Sequence, residues 1–401
     1  MAKGGYFGVA DVARKLTKGY FSPDGTARKI IKAYMGVGGV ARPCWSADGP
    51  SLINYGSISQ MNVRRYGLTG AAAGNCAYFA GGTNFELASY AYINEVDVYN
   101  GLTKLTSRSI SPGRKYIESA ETSNYAYFVG GYNPSSIGST TLFSSAIDVF
   151  NTSGTRTVGR TMSGGLCVPG VTAVGNIIVI AGGMIDSDED YSEKVYVMDG
   201  TSAPTQLSET YNLSTARAAI LGETLDSYAI FVGGTASGID VYRFNSTSAT
   251  DVTKIANVPS LSKTVSASFV SRGASAVTGA SETNEKCALF KGGSSRSILA
   301  INNSLTEISL TAQAYASAGT AATTLDGNVL FIGGDSGKMV DMFDPSLTHS
   351  RQSVLNYIRD ETAAVTVSGK VLVAGGIDQS LSGDARVLND VQAIYLQKND
   401  E

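Results

Sequence analysis

Histidine is almost absent: His349 stands alone in 401 residues, which removes most zinc, copper and iron sites and leaves one imidazole for any catalytic triad. Cysteine is scarce too, and Cys44, Cys76, Cys167 and Cys287 show neither a CxxC pair nor metal-ligand spacing. Cys76 and Cys287 hold the same place in two different repeats, so a disulfide between them is not expected. Charged residues make up 16% of the chain and the formal charge of −3 is close to neutral. No apolar run approaches the roughly 20 residues of a membrane span, and Met1 to Tyr6 lacks the layout of a secretory signal. A chain made in a cytoplasm and staying soluble is the expectation.

What is abundant is glycine, with 46 copies, and tyrosine, with 21, beside many Ser and Thr. That balance suits numerous strands and turns, an all-β composition. An apolar strand ending in a glycine pair occurs seven times, closing at Gly82, Gly131, Gly183, Gly234, Gly293, Gly334 and Gly376. Successive pairs lie 49, 52, 51, 59, 41 and 42 residues apart. Each is preceded by a strand of small residues, often opened by an arginine, as at Arg65, Arg114, Arg217, Arg272 and Arg359. Each is followed by an alternating strand such as Val96-Asp97-Val98-Tyr99 or Ile147-Asp148-Val149-Phe150, whose apolar side should meet a neighbouring sheet. Small residues suit the crowded centre of a ring, so four strands in each of seven units predict a propeller.

These glycine pairs and later aromatics resemble kelch repeats over roughly residues 51–396, although the tryptophan that kelch units often carry is missing. The expected fold class is all-β: a seven-bladed kelch-like β-propeller over 49–401 with a small basic N-terminal β-meander module over 1–48. The glycines read as positions of positive φ or of close packing between blades. The last unit runs only to its third strand, Val391-Gln392-Ala393-Ile394-Tyr395-Leu396, while Leu52-Ile53-Asn54-Tyr55-Gly56-Ser57-Ile58 has the character of an outer strand. Pairing of the two would close the ring and remove open edges.

Up to Ala47 the chain carries eight Lys or Arg against Asp11 and Asp24, a balance near +6, which leaves the remainder near −9. A 14-residue repeat recurs there as Val12-Ala13-Arg14-Lys15, Thr26-Ala27-Arg28-Lys29 and Val40-Ala41-Arg42-Pro43. Gly36-Val37-Gly38-Gly39-Val40-Ala41-Arg42 resembles a basic glycine-rich repeat of structural proteins in phages and prophages of Gram-positive bacteria. That resemblance implies a virion protein, assembled in the bacterial cytoplasm and present in several copies. Arg14, Lys15, Lys18, Arg28, Lys29, Lys32 and Arg42 would then dock it on other virion proteins of a tail or baseplate. Nucleic acid and membrane insertion are not expected as partners of this segment.

Loops on a rigid scaffold are the usual place for recognition. Those after the glycine pairs are long in units one, two, three and seven (83–94, 132–145, 184–193 and 377–388), which are consecutive around a closed ring. Phe85, Tyr90, Tyr92, Tyr132, Asn133 and Tyr191 lie there, with aromatic faces and amides suited to sugar rings. A host-surface glycan is the expected ligand. Purely structural decoration of a head or tail, or a bacterial protein-interaction module, are the alternatives. Asp186, Asp188 and Asp190 alternate along one loop and form a candidate calcium set, the one cofactor considered. Catalysis is not expected, since copper-radical oxidases of kelch type need two histidines. Paired carboxylates for glycoside hydrolysis stay open, because their separation is set in three dimensions.

Overall fold

The structure, a computed structural model, describes residues 50–397 except 85–90, 135–141, 158, 187, 189, 201–206, 256–273, 281–284, 294–297, 311–318 and 335–336. For six strands between residues 6 and 46, and for 91, 207–210 and 384, it describes the backbone alone. The chain divides into two units, 1–53 with 395–401, and 54–394.

Seven antiparallel sheets follow one another along the chain. The first joins Thr69–Ala73, Cys76–Ala80 and Glu95–Asn100, with Thr103–Lys104 and Arg108–Ser109 sharing the outer place. The second joins Glu118–Glu121, Tyr125–Val129, Ala146–Asn151 and Arg160–Thr161 in the same order from the inside out. Further inner strands are Gly170–Val174, Leu221–Leu225, Ala274–Val277 and Ala321–Leu325. Each inner strand touches the next, and the seventh, Ala363–Val367, returns to the first. This is a seven-bladed β-propeller. Second strands such as Ile177–Ala181 are buried on both faces because each blade is sandwiched between two others, which is why they read as unbroken apolar runs.

The seam lies in blade 7, whose order is Ala363–Val367, Lys370–Ala374, Asp390–Gln397 and Ser51–Gln60. The expected early strand is therefore the outer strand of the last blade. Gln392, fully buried, ties the seam: its amide donates to Asn54 Oδ1 at 2.9 Å and to the Val354 carbonyl at 2.6 Å, and its oxygen accepts the Asn356 N–H at 2.8 Å. Nearby, the Met61 N–H donates to the Asn389 carbonyl at 2.7 Å.

Both readings of the glycine pairs hold. Gly81 and Gly82 have φ of 66° and 95°, Gly130 and Gly131 62° and 111°, Gly375 and Gly376 61° and 97°. The second glycine N–H donates to the backbone carbonyl at the arginine position of the next blade: Gly82 to Arg114 (2.9 Å), Gly131 to Leu166 (2.8 Å), Gly183 to Arg217 (2.9 Å) and, across the seam, Gly376 to Arg65 (3.0 Å). A Cβ on Gly375 would meet that Arg65 oxygen at 2.7 Å, and one on Gly130 would run into the Leu166 oxygen. The pair is a latch between blades, and only glycine lets the backbones come that close.

Four of the five recurring arginines work inside their own blades, and Arg272 lies outside the described residues. Arg65, Arg114, Arg217 and Arg359 are fully buried and end on Asp97 (2.6 Å), Asp148 (2.6 Å), Asp240 (2.8 Å) and Asp390. Outer-strand side chains add a second cation: Lys104 to Asp97 at 2.9 Å, Arg156 to Asp148, and Lys254 to Asp240 at 3.0 Å. In blade 6 His349 sits 2.8 Å from Asp341. Burial pulls the guanidinium pKa of Arg65, Arg114 and Arg359 down, and the partner carboxylates oppose it. The alternating third strands thus bury their polar residues as well as their apolar ones. Their aspartates do not face outward but sit buried between Arg and a second base. Blade 3 does without the pair, placing Leu166 and Tyr196 at the matching positions.

In the N-terminal unit the backbone forms three separate two-stranded hairpins: Tyr6–Val9 with Val12–Lys15, Gly19–Phe21 with Arg28–Ile30, and Lys32–Val37 with Val40–Ser46. A single continuous meander is thus replaced by one hairpin per 14-residue repeat, because each repeat carries its own turn and pairs within itself.

Candidate functional site

Two residues before each described inner strand of blades 1, 2, 3, 4, 6 and 7 the backbone turns left-handed: Gly67 (φ 62°), Tyr116 (56°), Val168 (46°), Ala219 (54°), Gly319 (71°) and Glu361 (49°). Side-chain-bearing residues adopt this conformation only under compulsion. Here the compulsion is a chain of blade-to-blade hydrogen bonds, with N–H groups of Gly67, Tyr116 and Ala219 donating to carbonyls of Glu361 (3.1 Å), Gly67 (3.4 Å) and Val168 (2.8 Å). These bonds build a rim on the glycine-pair side of the ring.

Beside that rim, pairing continues past the glycines in four blades. Tyr66 pairs Thr83, and Thr83–Asn84 pairs Ala91–Tyr92. Lys115, Tyr132 and Phe143 pair in series, as do Cys167, Met184 and Tyr191, and Asp360, Ile377 and Val387. The long loops of blades 7, 1, 2 and 3 thus stand on extended ladders. Tyr92 meets Tyr132 edge to face with centroids 5.8 Å apart, and Tyr132 lies 5.9 Å from Phe143. Tyr132 and Tyr191, both half-buried, also pack on a cluster of Tyr116, Phe143, Cys167, Val168, Met184 and Ala219. Asn133 is half-buried, and its N–H donates to the Leu142 carbonyl at 2.9 Å. Phe85 and Tyr90 lie outside the described residues.

Lys115 is a basic group of this face. Its ammonium sits 4.4 Å from the centroid of Tyr116 and 5.8 Å from that of Tyr132, and donates to the Tyr116 hydroxyl at 3.4 Å. Burial lowers its pKa, while Glu361 and Cys167 pull the other way.

Asp186 Oδ1 accepts the backbone N–H groups of Asp188 (3.0 Å) and Asp190 (3.1 Å), turning the carboxylate onto its own loop. Among the described residues no three His, Cys, Asp or Glu side chains converge on a metal position, and Asp186, Asp188 and Asp190 do not do so. Of the basic docking set, Arg14, Lys15, Arg28, Lys29, Lys32 and Arg42 fall on the hairpin strands, and Lys18 lies outside the described residues.

A second feature escaped the sequence reading. The seven inner strands enclose a central channel of about 510 Å³, lined by hydroxyls such as Thr69, Ser119, Thr172 and Thr224 and by Glu118, Glu121, Glu223 and Glu361, with no Lys or Arg among the described lining residues. Many hydroxyls join neighbouring blades: Thr69 to Ser119 at 3.1 Å, Thr172 to Thr224 at 2.7 Å, Thr323 to Thr366 at 2.8 Å. Glu121 accepts the Ala72 N–H at 2.6 Å, and Glu223 the Thr224 N–H at 3.0 Å. Desolvation within the ring pushes the Glu223 pKa up to about 7, bonds from Thr224 and Ser275 oppose that, and the Glu121 charge adds to it. Glu121 is raised as well, by desolvation. Glu223 can hold or release a proton near neutrality.

No family model matches the chain, and no curated protein does. Among solved structures it is similar to one described as the structure of YjhT, with a TM-score of 0.50 and 12% identity, covering 85% of this chain and 100% of that one. At that identity the likeness shows the fold alone.

Proposed function

We propose that this chain is a binding protein of a phage virion, carried at the tail or baseplate, and that it holds host-surface glycans on the loop face of blades 7, 1, 2 and 3. One observation carries the binding reading: strand pairing runs past the glycine pairs in four consecutive blades and supports a shared aromatic cluster from Tyr92 to Tyr191. A rigid frame with side chains clustered on its long loops suits recognition. The glycine pairs and third-strand aromatics support regarding the ring as kelch-like. The virion setting is supported by the basic 14-residue repeat alone. Glycan-array binding by the intact chain tests the face. Simultaneous Ala replacement of Tyr90, Tyr132 and Tyr191 is expected to abolish it, and undiminished binding would exclude this face.

A further inference from the structure

Matched positions in different blades separate what the frame needs from what one blade alone supplies. The residue after the latch arginine is Tyr66 in blade 1, Lys115 in blade 2, Cys167 in blade 3, Ala218 in blade 4 and Asp360 in blade 7. Its backbone duty is shared: Lys115 exchanges N–H···O bonds with Tyr132 at 3.1 and 2.8 Å, as Tyr66 does with Thr83 at 3.0 and 2.9 Å and Cys167 with Met184 at 3.0 and 2.9 Å. The side chain is therefore free to vary, and only blade 2 places a cation there.

That cation is poorly provided for. Lys115 is half-buried, and of its three N–H donors one reaches a partner, the Tyr116 hydroxyl, through a long 3.4 Å bond. Among the described residues no carboxylate stands within 4 Å of it. Glu361 is near enough to favour the charge but is not an ion-pair partner. The contrast with the frame is direct, since each buried latch arginine described ends on an aspartate. The rings of Tyr116 and Tyr132 offer partial compensation through their faces, worth about 0.5–2 kcal/mol in such settings. An anionic group arriving from outside would supply a charge-assisted bond in its place.

We propose that Lys115 makes this face selective for sugars that carry an acid group, a carboxylate or a phosphate. The inference rests on the glycan-binding reading and names the ligand class of that same face. Tyr132, with Tyr92 and Phe143 against it, provides the aromatic platform for the ring, and the Lys115 ammonium faces the acid substituent.

The test uses the intact chain with three probes, methyl glucoside, methyl glucuronide and glucose 6-phosphate, titrated calorimetrically into wild type, Lys115→Met and Lys115→Arg. Wild type is expected to bind at least one acidic sugar tenfold or more tightly than methyl glucoside, and 0.5 M salt should shrink that margin. Lys115→Met should erase the preference, while Lys115→Arg should retain most of it. The glucuronide and phosphate arms tell which acid is read. Equal affinity for all three probes, a preference that survives Lys115→Met, or no acidic-sugar binding at 50 mM would overturn the inference. Neutral-glycan binding on an array with no acid preference sinks the inference alone; no glycan binding at all sinks the reading beneath it as well.

Discussion

Arg114 and Lys115 are consecutive, both basic and both just ahead of the same inner strand, yet they belong to different parts of the molecule. Arg114 is fully buried on Asp148, and its carbonyl receives the latch from Gly82 of the blade before. Lys115 is half-buried among rings on the loop face, with no carboxylate within 4 Å among the described residues. The first recurs from blade to blade and the second does not. Recurrence marks the frame; departure from recurrence marks the face proposed for recognition. Breaking the comparison at this point should give the largest difference. Arg114→Met strips a buried aspartate of its inner partner and should cost about 3 kcal/mol in urea unfolding, since removing one member of a buried ion pair leaves the other uncompensated. Lys115→Met should stay within about 0.5 kcal/mol. Equal losses at the two positions would show that the face is part of the frame.

The glycines sharpen the same contrast. Gly130 has φ 62° and a Cβ there would enter the Leu166 carbonyl of the next blade, whereas one on Gly164 meets nothing within 4 Å. Gly130→Ala should destabilise by about 2–3 kcal/mol, from backbone strain plus the collision, and Gly164→Ala by less than about 0.5. Thermal melts of the two variants side by side check this. At the seam, Gln392→Ala should cost about 2 kcal/mol, because Asn54, Val354 and Asn356 all lose a partner, one of them a backbone N–H. Asn54→Ala removes one of those bonds and two exposed ones, to Asn356 Oδ1 and from the Gly56 N–H, and should cost about 1 kcal/mol.

How far the sequence carried follows from the same division. Seven glycine pairs at regular spacing announced the ring, and the orphan strand near Leu52 announced its seam, because both are local patterns repeated along the chain. The arginines were visible for the same reason. Their partners were not: Asp97, Asp148 and Asp240 alternate with apolar residues as any half-exposed strand would, and only closure of the ring buries both sides. Blade 7 hides its pair further, putting Gln392 at the matching register and Asp390 two residues earlier. Lys115 carried no signal, being one basic residue next to another. The four tyrosines and Asp186, Asp188 and Asp190 were chosen by composition. Composition does not say that Tyr132 packs on Phe143 or that Asp186 turns onto its own backbone.

The channel offers the smallest effect and a sign that can be worked out in advance. Glu223 stood in the sequence as a single charge within a strand of small residues and Glu121 as one of two, with Glu118, and the ring turns them inward together. The native Glu223 pKa, pushed up to about 7 by desolvation, lies above the ordinary value of 4.5 that the unfolded chain would show. Below pH 4.5 both states hold the proton and the group contributes nothing. Between pH 4.5 and 7 the unfolded chain releases it while the native ring retains it, so stability falls as pH rises. Above pH 7 the native state carries the full cost of an ionised carboxylate beside Glu121. Glu223→Gln keeps an oxygen for the Thr224 N–H and removes the charge. It should raise the melting temperature by a few degrees at pH 8, by less at pH 6, and not at all at pH 4. The loop face should be untouched, so glycan binding at pH 8 ought to match wild type. A gain in stability of the same size at every pH would mean that packing around residue 223, and not its charge, limits the ring.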